Sequence, residues 1–186
     1  AGLVTVAAPW TLLRGVIEPA SVAQWILTGD GRRRRRERAL RVWYHDMTER
    51  GKWERDTGWA PPTDRARTGS VRARQIGDLA NELGIEGRAI GTPLNYSDTV
   101  ANAANWVDLG SNDVRAMWRQ ASGYAHGRTW QYLQTASVSG AGIEQSTVTA
   151  SMTLGSYQFE RFANASTQIY QCALDGYGRL STPPPP

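Results

Sequence analysis

Arg115, Arg119, Ser122 and His126 recur at intervals of four, three and four residues. On a helix this spacing sets two guanidiniums, a hydroxyl and an imidazole in one stripe. Val114, Trp118, Ala121 and Ala125 repeat the same intervals one position earlier, so the polar row borders an apolar one, where a cleft would lie. A guanidinium there could hold a scissile phosphate and offset the charge that builds on it. An imidazole titrating near neutrality could exchange a proton with a ribose hydroxyl or a leaving oxygen. Those two groups suffice in principle for RNA cleavage without a metal. The same residues also have a plain structural use: the helix dipole favours histidine at a C-terminus, and a border arginine pairs with a neighbouring helix.

Two further groups could serve this stripe. Arg14 and Glu18 lie one helical turn apart among apolar residues, positioned either to orient Arg119 or His126 from a second helix or to form a surface pair. Arg32, Arg33, Arg35 and Arg36 belong to an unbroken arginine run that could grip an RNA backbone or simply open a solvated helix. Metal chemistry has little to work with. His45 and Glu49 share a helical face, but two ligands do not make a zinc site and the chain has only one other histidine. No P-loop, no G-x-G-x-x-G and no G-x-S-x-G elbow occurs, so no cofactor is expected.

The elements that must position these residues read as helices. Leu3, Ala7, Trp10, Leu13, Ile17, Ala20 and Ile26 predict one helix over residues 2–28, kinked near Pro19 or broken at Pro9, and "TGDG" stops it. Strong helix formers from Arg32 to Asp56 predict a second, with Leu40, Trp43, Tyr44 and Met47 on its apolar side. Pro61 and Pro62 make a loop, and a third helix is predicted over 64–83. Residues 84–110 read as an irregular connection with one short helix around "DTVANAANWV". The helix carrying the polar stripe starts at a Ser111 or Asn112 cap and stops at Gly127. "QTASVSGAGIEQS", 134–146, reads as a loop, a last long helix is predicted from Val148 to Leu174, and 181–186 is a disordered proline tail.

Length and composition bound the answer. A chain of 186 residues, 40% hydrophobic and 20% charged, is globular and of single-domain size. Eight tryptophans and only two phenylalanines predict a core of Leu, Val, Ala and Trp, which suits packed helices. The net charge of +4 is uneven: residues 1–90 carry 16 basic against 11 acidic side chains, and 91–186 carry 5 against 6. All the basic residues except Lys52 are arginine, the phosphate-binding fork, although a GC-rich genome also writes arginine for lysine. Cys172 is alone, which excludes an internal disulfide and fits a reducing cytoplasm. Arg14 and Glu18 interrupt the apolar opening, which argues against a signal peptide or a membrane span. The chain does not begin with Met and reads as a fragment or processed product.

Arg119, six residues and His126 fit the R-x(4 to 6)-H signature of the HEPN superfamily, and "ASGYAHG" resembles the S-x-x-x-H-G segment of bacterial HEPN-like proteins. "LLRGVIEPASVAQWIL" followed by an arginine-rich helix is similar to the early helices of actinobacterial members, in which an R-x-x-x-E pair precedes a W-x-L segment. The resemblance covers roughly residues 10–130. It implies an all-α, usually homodimeric protein whose arginine and histidine from two subunits build one metal-independent ribonuclease site, often in toxin, antitoxin-controlled or phage-defence systems. Arg119 would then bind phosphate and His126 would be the acid/base, with Arg115, Ser122, Arg14 and Glu18 in support. Many active members follow the arginine with Asn, Asp or His, where this chain has Gln120, and others are catalytically silent. The expectation is a single-domain helical bundle of about five helices over 1–180, cytoplasmic and dimeric. The resemblance implies an RNA-directed nuclease or its inactive relative; the alternative expectation is a non-catalytic module binding a partner protein or nucleic acid.

Overall fold

The computed structural model describes residues 7–62, 67–128, 130, 136–144, 147–154 and 156–182. Helices dominate it. Seven α-helices lie among the described residues: α1 (Ala7–Leu27), α2 (Gly31–Thr57), α3 (Gly69–Glu82), α4 (Gly87–Gly91), α5 (Tyr96–Ala103), α6 (Ser111–Ala125) and α7 (Ser156–Ser181). The excess over five comes from residues 84–110. There the short helix read around "DTVANAANWV" is α5 followed by a 3-10 turn at Ala104–Trp106, and α4, five residues long, is too short for hydrophobic periodicity to register. None of these helices is long and apolar enough to cross a membrane.

The chain gathers into two compact units, one formed by Ala1–Gln24 with Tyr96–Pro186 and one by Trp25–Asn95. In the first unit, α1 is continuous, and Pro19 sits inside it without breaking it. Its cost is one lost N–H, the one that would reach the Gly15 carbonyl. Trp10 anchors the core: its ring stacks on Tyr124 at 5.4 Å and on Phe162 at 5.8 Å, with Phe159 edge-on at 5.9 Å. Ile17, Val100, Ala104, Val114, Ala121 and Ile169 fill the remainder. On α6, the buried Val114 and Ala121 confirm the apolar face expected there. Gly110 takes the N-cap position instead of Ser111 or Asn112, because the Ser111 hydroxyl is spent on Asn105 Oδ1 at 2.7 Å. Gly127 ends the helix at φ 62°, a left-handed position that glycine adopts without penalty.

One antiparallel hairpin corrects the reading of 134–146 as a loop and of Val148–Leu154 as helix. β1 (Ala136–Glu144) pairs with β2 (Thr147–Leu154), Ala136 facing Leu154 and Glu144 facing Thr147, with a register shift between Ser139 and Gly142. Val138, Ile143, Thr147, Val148 and Thr149 are β-branched, and that preference outweighs the four-residue spacing of Val148 and Met152. The last helix accordingly starts at Ser156 and runs through Ser181, into the stretch read as tail, while Pro183–Pro186 lie outside the described residues.

In the second unit α2 packs on α3 and α4 around Leu40, Ile76, Ala80, Ile85 and Ile90. Helices α2 and α3 meet at two glycines: a Cβ added at Gly69 would fall 2.5 Å from the Met47 carbonyl oxygen and 2.9 Å from the Gly51 Cα. Thr68 caps α3 by accepting from Val71 N at 3.3 Å. The buried Glu54 carboxylate accepts from Gly69 N at 2.7 Å and from Arg50 Nε at 2.8 Å, so the crossing is pinned by hydrogen bonds to one charged group. Residues 63–66, the expected start of α3, lie outside the described residues.

The tryptophan expectation needs correction. Trp10 alone of the eight is a fully buried core residue, while Trp43, Trp53, Trp59, Trp106 and Trp130 are exposed. A tryptophan count reports how much aromatic surface a chain has, not where it goes.

Candidate functional site

The polar stripe exists on α6, and its four members are treated differently. Arg115 and Ser122 are half-buried; Arg119, on the third turn, and His126, at the C-cap, are exposed. Arg115 donates Nη2 to Asp98 Oδ1 at 3.4 Å and keeps its Nε buried without a partner, so it is tied to α5. Among the described residues, neither the Arg119 guanidinium nor the His126 imidazole meets a hydrogen-bond or ion-pair partner.

Arg14 and Glu18 face α6 but serve neither of these two residues. Glu18 Oε1 accepts from Arg14 Nε at 2.7 Å and from Trp118 Nε1 at 2.7 Å, and the Arg14 guanidinium stands 6.0 Å over the Trp118 ring. The pair is half-buried at 24% and 21% side-chain exposure, so it is a packing clamp between α1 and α6 and not a free surface pair. Gln120, the departure from the resembling pattern, points away from the stripe and donates to Gln158 Oε1 on α7 at 3.0 Å. It borders a cavity of about 170 Å³ lined by Asp113, Ala116, Met117, Gln158 and Arg161, which contains neither Arg119 nor His126.

The arginine run divides between structure and solvent. Arg33 Nη2 donates to the Gly84 carbonyl at 2.7 Å and Arg35 Nη1 to the Gly29 carbonyl at 3.2 Å. Both therefore satisfy backbone acceptors at chain turns, which narrows the expected RNA grip to Arg32 and Arg36, exposed and without partners among the described residues. Arg38 and Arg41, further along α2, lie over the Trp25 ring at 4.8 and 5.5 Å. Arg38 donates to the Trp25 carbonyl, and Arg41 to the carbonyls of both Thr92 and Pro93. Burial, and then the neighbouring Arg34 cation, hold both guanidiniums below the usual arginine range. Sequence reasoning missed these two because a cation–indole contact across a turn has no spacing signature.

His45 is engaged structurally as well, its Nε2 lying 2.9 Å from the Thr92 carbonyl, and among the described residues no group of three or more His, Cys, Asp or Glu side chains could hold a metal ion. Cys172 is half-buried and its thiol points to the Trp106 carbonyl at 3.7 Å. The only element-level feature common to Arg119 and His126 is thus exposure on one face of α6, two turns apart. Protein-family models, curated proteins and solved structures offer no match to this chain.

Proposed function

We propose that this chain is a helical protein of the HEPN-like kind that cleaves RNA without a metal, with Arg119 and His126 as the groups that meet the scissile linkage and a second copy completing the site. The observation that supports the reading is that both side chains stand in solvent, unpartnered among the described residues, beside the packed face of α6. Seven residues of helix separate them by about 10 Å along the axis. In the dimer, two antiparallel α6 helices would bring the arginine of one copy beside the histidine of the other. In that arrangement one His126 takes the proton of the ribose 2′-hydroxyl as its oxygen bonds to phosphorus. The bond to the 5′ oxygen breaks, and the second His126, as imidazolium, returns a proton to that oxygen, giving a 2′,3′-cyclic phosphate and a 5′-hydroxyl. Arg119 offsets the charge that builds on the phosphoryl oxygens.

Total RNA incubated in EDTA with the purified protein tests this. The wild type should yield fragments ending in cyclic phosphate, and His126→Ala and Arg119→Ala should each slow cleavage by about 100-fold or more. Equal cleavage by wild type and His126→Ala, or none by the wild type, removes the catalytic reading. A toxin or phage-defence setting, with an antitoxin as partner, belongs to this reading alone. A second reading, a non-catalytic module that binds a partner protein or nucleic acid, is favoured by Tyr170, Leu174 and Tyr177. These three form an exposed apolar row on α7 beside its buried Ile169 and Ala173.

A further inference from the structure

We infer that the solvent face of α2 is a docking stripe for single-stranded nucleic acid, in which indoles stack on bases and arginines meet phosphates; this deepens the RNA reading above and rests on it for the choice of ligand. Arg32, Arg36, Trp43 and Arg50 follow one another at intervals of four, seven and seven residues, which places them on one side of the helix. The stripe ends in an aromatic pair, Trp53 and Trp59, with ring centroids 5.7 Å apart and tilted by 43°, and the Arg50 guanidinium lies 5.7 Å over the Trp59 ring. Trp43, Trp53 and Trp59 are 48%, 52% and 40% exposed, far from what a core indole shows. From Arg32 to Trp53 the face is about 30 Å long.

Two features point to nucleic acid as the occupant. The first is charge. The unit Trp25–Asn95, to which the stripe belongs, carries 15 basic and 10 acidic side chains, a net +5, whereas the rest of the chain, with 6 basic and 7 acidic, is at −1. A unit that holds the chain's entire positive excess is attractive to a polyanion and not to an acidic-poor protein surface. The second is the presence of unpaired cations and exposed indoles on one face. Arg32 and Arg36 have no partner among the described residues, in contrast to Arg33 and Arg35, which are spent on carbonyls, and to Arg50, which is held by Glu54 and the Arg67 carbonyl, so the two cations at the N-terminal end of this face are free for phosphate. Free guanidiniums at one end of the face and exposed indoles along the rest supply a charge for the linkage between bases and a π-face for any base. Strand binding without duplex readout requires just that combination. Asp46 is the exposed carboxylate on the same side, between Trp43 and Arg50, and it opposes a phosphate there.

The probe is a fluorescein-labelled 2′-O-methyl RNA of fifteen or so nucleotides, which lacks the 2′-hydroxyl and so reports binding independently of cleavage, followed by anisotropy against the full chain. Trp43→Ala and the double variant Trp53→Ala/Trp59→Ala should each weaken binding about tenfold or more, with Trp43→Phe recovering most of the loss. Arg32→Ala/Arg36→Ala should reduce the slope of log K against log salt by about 1.4, and Asp46→Asn should tighten binding. The duplex of the same sequence should bind more weakly than the single strand. Absence of probe binding by the wild type, or affinity unchanged in the tryptophan variants, overturns the inference. So does a loss of self-association in light scattering with probe affinity intact, which would assign the face to a second copy. Probe anisotropy in the tryptophan variants reads the stripe, and total-RNA cleavage in EDTA reads Arg119 and His126. A protein that binds through the stripe but does not cleave RNA would therefore refute the nuclease reading and leave the stripe standing.

Discussion

Trp118 on α6 donates its indole N–H to Glu18 Oε1 on α1 at 2.7 Å, joining residues 100 positions apart in the chain. The same oxygen takes the Arg14 guanidinium at 2.7 Å, so one half-buried carboxylate holds two donors from two helices. Removing it leaves both unpaired. Glu18→Ala should cost about 1–3 kcal/mol, and Trp118→Phe, which keeps the ring and loses the N–H, about 1 kcal/mol. Urea denaturation of the two single variants and the double variant should give non-additive losses, since both changes break the same bond.

The α2–α3 crossing makes opposite predictions for two glycines of one helix. Gly69→Ala drives a methyl into the Met47 carbonyl and the Gly51 backbone and should cost 2 kcal/mol or more, on the order of an overpacked core. Gly77, inside α3 with open space around its Cα, should gain about 0.5–1 kcal/mol on replacement by alanine, because only the unfolded chain loses freedom. Thermal unfolding midpoints moving in opposite directions would bear this out; a shared direction would contradict the crossing geometry.

Glu54 is 6% exposed and satisfies both Gly69 N and Arg50 Nε. Glu54→Ala should cost about 2–4 kcal/mol, since it strands a buried N–H and a guanidinium together. Glu54→Gln, which retains one acceptor, should recover part of that loss in the same denaturation series.

Arg119→Ala and His126→Ala should each leave stability within about 0.5 kcal/mol of wild type, as exposed side chains without partners do. Arg115→Ala should cost more, because its guanidinium is tied to Asp98 and partly enclosed. Differential scanning calorimetry of the three variants would separate them. A large loss in either of the first two would mean that the residue is structural and its activity data uninterpretable.

The parts of this molecule that were readable in its sequence are those fixed by local periodicity. Val114 and Ala121 at the heptad spacing placed the buried side of α6, and Gly127 marked its end, because helix period and left-handed backbone are properties of a few adjacent residues. What escaped depended on contacts between distant segments. Whether Glu18 would meet Trp118 or the Arg119–His126 pair is decided by the rotation of α1 against α6, which no spacing within α1 encodes. The hairpin escaped for a different reason: its register shift between Ser139 and Gly142 and its run of small residues blur the two-residue alternation that announces a strand. Of the candidate site, the stripe could be read, but which of its members were free could not, since Arg115 is claimed by Asp98 from α5.

The fork of Arg41, reaching two successive carbonyls at Thr92 and Pro93 while its plane lies over Trp25, has a consequence for how this sequence can drift. A lysine has one nitrogen to offer and no plane to stack, so at Arg41, and for the same reason at Arg38, the exchange of arginine for lysine is not neutral. Arg32 and Arg36 carry no such constraint and could exchange without disturbing the fold. An arginine excess that entered through nucleotide composition would thus be locked in at some positions and reversible at others. A shift of the genome toward A and T would then write lysine first where the guanidinium faces only water or phosphate.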